Sequence, residues 1–192
     1  MINFTYKKEI EASIFDDYIK ENKSPVVADM ILDELKNVEI NISEDFIKNQ
    51  LNFISKQWEE TQPKFLESLG KFYEENLQAP DLTCYLIRLN KFPYDYSKGW
   101  FTAPLFTNPA ERNRVIMHEL CHYYQPKPLP REIKEAIPEI LNDHEKFRMF
   151  GFDKGHKHEK EQQWRKKIWQ LYKNGGKFSD LLKLADKNIV DI

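Results

Sequence analysis

No stretch of this 192-residue chain approaches the length and apolarity of a membrane span, so no transmembrane helix is expected. Acidic residues interrupt the N-terminal run MINFTYKKEIEASIFDDYIKE every few positions. It therefore lacks the apolar core of a secretory leader, and the expected compartment is the cytoplasm. There are only two cysteines, Cys84 and Cys121, too few for a disulfide framework. A charge imbalance is missing as well. The 29 Lys and Arg nearly cancel the 31 Asp and Glu, leaving a formal net charge of -2. That excludes a general affinity for nucleic acid or acidic membrane surfaces. Internal repeats and low-complexity tracts are absent too, and nothing in the chain specifies an oligomeric state.

What is present is core material: 41% of the residues are hydrophobic and 14% aromatic. This is enough for a globular domain carrying an appended helical portion. Apolar stripes at helical spacing predict helices over Lys7–Glu21, Pro25–Lys36 and from Ser43, with Pro63 breaking or kinking the last run before a further stripe from Phe65 to Leu77. Ser24-Pro25 and Ser43 read as helix starts. The character changes near Pro80. LTCYLIRL (82–89) alternates like a strand, NKFPYDYSKG (90–99) reads as a loop, and WFTAPLF (100–106) as a second short strand, with Pro104 marking an edge position or an early strand end. Helices return from Asn108, a good N-cap followed by Pro109, with Glu111 in the capping-box position. This helix ends at Pro126. Others are expected over Arg131–Phe150, with Pro138 an irregularity, and over His158–Lys173. A last short one is expected to be capped by Ser179. The expected fold class is α+β, divided into an N-terminal helical portion over residues 1–79 and a domain over 80–192 with a small antiparallel or mixed sheet.

The chemistry concentrates in RVIMHELCHYYQ. His118-Glu119-Leu120-Cys121-His122 is an H-E-x-x-H pattern, and the chain holds only five histidines. A shuffled chain of this composition would produce the pattern with a probability on the order of one in a hundred. Residues four apart lie on one helix face about 6 Å apart along the axis, so two imidazoles can converge on one ion. Zinc accepts such nitrogens at about 2.0–2.1 Å and lowers the pKa of a bound water. Glu119, beside the first ligand, is placed to take that water's proton. Cys121, within the motif, reads as a small packing residue. The competing reading is a solvated helix face that carries His, Glu and His by accident.

A catalytic zinc needs a third protein ligand and an open position. No Gly stands at 125 and no His at 128, so the metzincin extension is absent. The segment instead resembles a zincin metallopeptidase of the gluzincin kind. That resemblance implies a third ligand from a Glu on a following glutamate helix, with a supporting acid nearby. KEAIPEILND matches in two registers. In one, Glu135 is the ligand. In the other it is Glu139, with Asp143 holding a zinc histidine. A downstream His also resembles the SprT-like metalloproteases, which leaves His158 or His156 as further alternatives; His144 reads as a helix-surface residue. The resemblance covers about residues 82–170. It implies a zinc-dependent peptidase acting on a peptide or protein substrate, with Zn2+ held by His118, His122 and Glu135, and Glu119 as general base. It also implies that WFTAPLF is an edge able to hold an extended peptide by strand addition. The alternative function is a catalytically inactive or regulatory zincin-like metal-binding protein that acts through protein contacts. A helical interaction module without metal is the third.

Overall fold

The computed structural model describes residues 1–22, 43–88, 92–147, 153–155 and 158–190. The helix expected over Pro25–Lys36 lies outside them. The described chain is α+β, as composition and patterning predict, with seven α-helices and a small mixed four-stranded sheet. It divides into two compact units. The first comprises residues 1–60 and 80–112, and the second 61–79 and 113–192. The expected boundary at 79/80 is one of the points where the chain passes between them.

The first unit is built around the sheet. β1 (Ile2–Thr5) comes from the segment read as wholly helical, and its pairing is the reason it is a strand. It runs parallel to β2 (Leu82–Ile87), with Ile2 opposite Leu82 and Phe4 opposite Cys84. β2 also runs parallel to β4 (Trp100–Pro104), with Cys84 opposite Phe101 and Leu86 opposite Ala103. One face therefore gathers Ile2, Phe4, Leu82, Cys84, Leu86, Phe101 and Ala103, all buried, because side chains two apart share a face. The stretch expected as a loop contains β3 (Tyr94–Asp95), antiparallel to β4, and a 3-10 turn (Tyr96–Lys98) closed by Gly99 at φ 74°. The strand order is β1-β2-β4-β3. WFTAPLF is thus not the edge: β3 covers β4 at Trp100 and Phe101, and the Thr102 hydroxyl donates to the Pro93 carbonyl at 2.9 Å. This removes the observation on which peptide holding by that strand rested. α1 (Lys8–Asn22) is tied to the end of β2 by the buried Glu11, which accepts from the Arg88 backbone N–H at 2.5 Å and from its Nε at 2.7 Å.

The second unit is helical. α2 (Glu44–Tyr73) starts where Ser43 accepts from the Phe46 N–H at 3.2 Å, and runs as one 30-residue helix with Pro63 inside it. The break expected at Pro63 is absent. A proline removes one helical hydrogen bond, and the burial of Ile54, Trp58, Phe65 and Leu69 on either side is what the continuous helix retains. Its C-terminal part belongs to the second unit, as does most of α3 (Pro109–Tyr123). Asn108 caps α3 as expected, its side chain accepting from the Glu111 N–H at 2.9 Å. The single helix expected over Arg131–Phe150 is replaced by α4 (Arg131–Lys134), a 3-10 turn (Ile137–Asn142) and α5 (His144–Phe147). Pro138 accounts for this, since it cannot donate within a helix interior and falls instead in the first turn of the 3-10 segment. α6 (Glu159–Lys173) ends at Asn174-Gly175, with Gly175 at φ 75°. α7 (Phe178–Val190) is a 13-residue helix, longer than expected, and Ser179 lies within its first turn. Its Phe178 packs edge-on against Phe72 and Tyr73 of α2, with ring centroids 6.4 and 5.2 Å away. Among the described residues no helix is long and apolar enough to cross a membrane.

Candidate metal centre

The capped helix α3 puts His118 and His122 one turn apart, with their Nε2 atoms 3.1 Å from each other. Ile116, Met117, Leu120 and Cys121, on the helix's other faces, are fully buried and fix its rotation. The third group comes from α4. Glu135 is the residue at that one-turn helix's C-terminal cap, between the buried Ile133 and Ala136. Its Oε2 lies 3.6 Å from His118 Nε2 and 3.4 Å from His122 Nε2. His118, His122 and Glu135 are the one group of this kind among the described residues able to hold a metal ion.

The spacing can be tested against zinc. Donors arranged tetrahedrally at 2.0–2.1 Å from one ion lie about 3.3–3.4 Å apart. The three separations here are 3.1, 3.4 and 3.6 Å, so the three atoms are spaced as the donors to one such ion would be. The donor set, two imidazoles and a carboxylate, is one that zinc accepts. The His122 side chain is 2% exposed, while those of His118 and Glu135 are 15% and 17% exposed. The centre thus reaches solvent on the His118–Glu135 side. Glu119, next to the first histidine, is 7% exposed.

Behind His118 stands an acid that the sequence reading missed. Asp153 is 1% exposed, and its Oδ2 lies 2.8 Å from His118 Nδ1. This leaves Nε2 of the same ring facing His122 and Glu135, the tautomer a metal ligand needs. Arg114, one turn before His118 on α3, donates to the same oxygen at 3.2 Å. Oδ1 accepts from the Gly155 N–H at 2.9 Å and lies 3.1 Å from Arg165 Nη2. The Asn142 amide clasps the Asp153 backbone from both sides. Its Oδ1 accepts from the Asp153 N–H at 2.7 Å, and its Nδ2 donates to the Asp153 carbonyl at 2.9 Å. By contrast His122 Nδ1 is buried and has no hydrogen-bond partner among the described residues. The one sequence signal for Asp153 is its place in Asp153-Lys154-Gly155, a turn signature with nothing to tie it to His118, which lies 35 residues earlier.

Other candidates go elsewhere. Glu139 pairs with Arg165 of α6 at 2.7 Å and stands outside the three-residue group. Asp143 does not support a histidine; its Oδ1 accepts from the Glu145 N–H at 3.2 Å and begins α5. His158 is exposed at the N-cap of α6. His156 lies outside the described residues, and His144 is the first residue of α5. Cys84 and Cys121 are both buried and in no disulfide.

The ion-free centre has a distinctive electrostatic pattern. Burial disfavours a charged His118 ring, but the hydrogen bonds to Asp153 and Glu135 outweigh it and push the ring up to about 9. Burial dominates at His122 and lowers it. Burial also opposes charge on Glu135 and Asp153. The histidines hold the first carboxyl well below the usual carboxylate range, and His118, Arg165 and Arg114 do the same for the second. Desolvation raises Glu139, with the neighbouring Arg165 only partly offsetting it. Both carboxylates touching the histidines are therefore ionised at neutral pH, as metal binding requires. No protein-family model, no curated protein and no solved structure matches the chain.

Proposed function

We propose that the chain is a zinc-dependent metallopeptidase with a zincin-like centre, hydrolysing peptide bonds in a peptide or protein substrate. The observation that carries this reading is the convergence of His118 Nε2, His122 Nε2 and Glu135 Oε2 at separations of 3.1–3.6 Å, with Glu119 of the H-E-x-x-H motif next in sequence to His118. Three protein ligands and a face open to solvent suit a catalytic centre better than a structural one, which closes with four. The short, proline-interrupted stretch carrying Glu135 departs from the long glutamate helix that the gluzincin resemblance implies, but it supplies the same donor atom.

Zinc bound there would supply Lewis acidity, polarising the scissile carbonyl and bringing the pKa of a water at its open position toward neutrality. The protein's own residues do the rest. His118 and His122 bind through Nε2, and Asp153 holds the His118 ring in register from Nδ1. Glu119 accepts the proton of the attacking water at its carboxylate and delivers it to the departing amine nitrogen.

Elemental analysis with a peptidase assay tests the proposal. The wild type should carry near-stoichiometric zinc. Glu135→Ala should lose it, and Glu139→Ala should keep it. Glu119→Gln should keep zinc and lose turnover by at least a hundredfold, the range expected for a missing general base. A wild type that takes up no zinc, or a Glu119→Gln protein that turns over normally, sinks the reading.

A further inference from the structure

Arg165 stands in a cationic run, Arg165-Lys166-Lys167, on α6. Lys166 faces solvent, yet Arg165 is 3% exposed. Burying a guanidinium costs several kcal/mol unless acceptors surround it. Its acceptors here are specific. Nη2 lies 2.7 Å from Glu139 Oε2 and 3.1 Å from Asp153 Oδ1, and it donates to the Asp153 backbone carbonyl.

The two oxygens of Asp153 divide the work. Oδ2 faces α3, meeting His118 and Arg114. Oδ1 faces away, meeting the Gly155 N–H and Arg165. A carboxylate's last torsion is broad and roughly two-fold, so an oxygen is aimed only when its partner oxygen is anchored. The backbone here is built to let Arg165 do the anchoring. Gly155 has φ 59°, and a Cβ at that position would come within 2.6 Å of Arg165 Nη1 and 2.4 Å of Glu161 Oε1. A side chain at this left-handed position would be strained and would have to displace the Glu161 and Arg165 side chains, so glycine is what lets the turn that bears Asp153 lie this close to α6.

We infer that Arg165 is a positioning residue of the metal centre: it anchors Asp153 Oδ1 so that Oδ2 meets His118, and acts on the metal without touching it. The inference rests on the metal-centre reading above and extends the centre from α3 and α4 to α6. All three contacts converge on Nη2, while Nη1 is buried with no hydrogen-bond partner among the described residues. The rigid guanidinium plane fixes where Nη2 sits, which a lysine ammonium on its flexible stem does not reproduce.

Cobalt(II) loading provides the test, read by chelator competition and by the visible ligand-field bands, with far-UV circular dichroism to confirm folding. Arg165→Met and Arg165→Lys should both bind Co2+ 10- to 100-fold more weakly than the wild type, with shifted bands. If Arg165→Met does not fold, the lysine variant, which keeps the charge, carries the test. Glu139→Gln, which removes the charge on the other partner of Arg165 and leaves Asp153 in place, should bind within a few-fold of the wild type. Folded Arg165 variants with wild-type affinity and spectrum overturn the inference while leaving the metal centre standing. So does a Glu139→Gln protein as weak as Arg165→Met. A wild type that binds no Co2+ overturns the metal centre, and this inference with it.

Discussion

Asp153→Asn preserves shape and removes one charge, and the neighbours of Asp153 set what that does. Its partners among the described residues donate: Arg114 at 3.2 Å, the Gly155 N–H at 2.9 Å and Arg165 at 3.1 Å, with His118 Nδ1 at 2.8 Å donating in the metal-binding tautomer. A carboxylate accepts on both oxygens, but an asparagine must turn its NH2 toward one pair of donors. Either His118 and Arg114, or Gly155 and Arg165, then face a donor. Losing such a partner of a metal-bound histidine costs about 10–100-fold in metal affinity, or about 1.4–2.7 kcal/mol. The pH at which this is read matters. With its ring pushed up to about 9, His118 in the wild type must shed a proton to bind metal. Apparent affinity should therefore fall about tenfold for each pH unit below that value. The substitution removes the main cause of the raised pKa, so it also relieves proton competition. The variant's deficit should be full at pH 9.5 and much smaller at pH 7, where the two effects oppose. Chelator competition for Zn2+ across pH 6.5–9.5 gives both curves. Parallel curves, or a variant within threefold of the wild type at pH 9.5, would refute the assignment of Asp153 as the support of His118.

The same ring makes the ion-free protein pH-sensitive in the opposite sense to the loaded one. A histidine raised from 6.5 to about 9 contributes stability that is present below about pH 6.5 and lost as pH rises through about 9, on the order of 3 kcal/mol at most. The carboxylate shifts of Asp153 and Glu135 express the same contacts and are not added again. The lowered His122 acts below pH 6.5, outside this window. Melting of chelator-treated protein should therefore show Tm falling between pH 6.5 and 9, with the slope abolished in His118→Gln; a flat wild-type profile would be the contrary result. Tyr73→Phe tests the end of α3. The buried Tyr73 hydroxyl donates to the Cys121 carbonyl at 2.7 Å, one of the terminal carbonyls a helix leaves unsatisfied. Its loss should cost about 1–3 kcal/mol by urea unfolding, and a variant as stable as the wild type would show that this carbonyl finds another partner.

The H-E-x-x-H pattern with its Asn108-Pro109 start was legible because a capped amphipathic helix fixes side chains four apart by local geometry alone. Strand β2 was legible for a similar reason, its alternation being a two-residue period. Glu135 could be reached only through a family resemblance, since a carboxylate 13 residues after His122 has no geometric tie to it in the sequence. Glu139 looked nearly equivalent there, and what separates the two is Arg165, a residue of α6 that claims Glu139. Asp153 and β1 were illegible because each is defined by a distant partner, His118 in one case and β2 in the other. Pro63 and Pro138 mark the limits of reading proline as punctuation. Burial on both sides carried a helix through the first, whereas the second, with Ala136, Ile137 and Ile140 buried around it, settled into a 3-10 turn.

The division of the centre between near and far residues sets an order of assembly. His118 and His122 meet whenever α3 is helical, four residues apart, and so are available early in folding. Asp153 must close a loop of 35 residues to reach them, an entropic cost repaid only when the Asn142 clasp and the Arg165 contact are also made. On the proposed reading, a chain caught part-way would offer metal a loose two-histidine grip, tightening only when the distant turn arrives. Zinc added during refolding should accordingly bind in two kinetic phases, a fast weak one and a slow strong one, and the slow phase times the docking of α6.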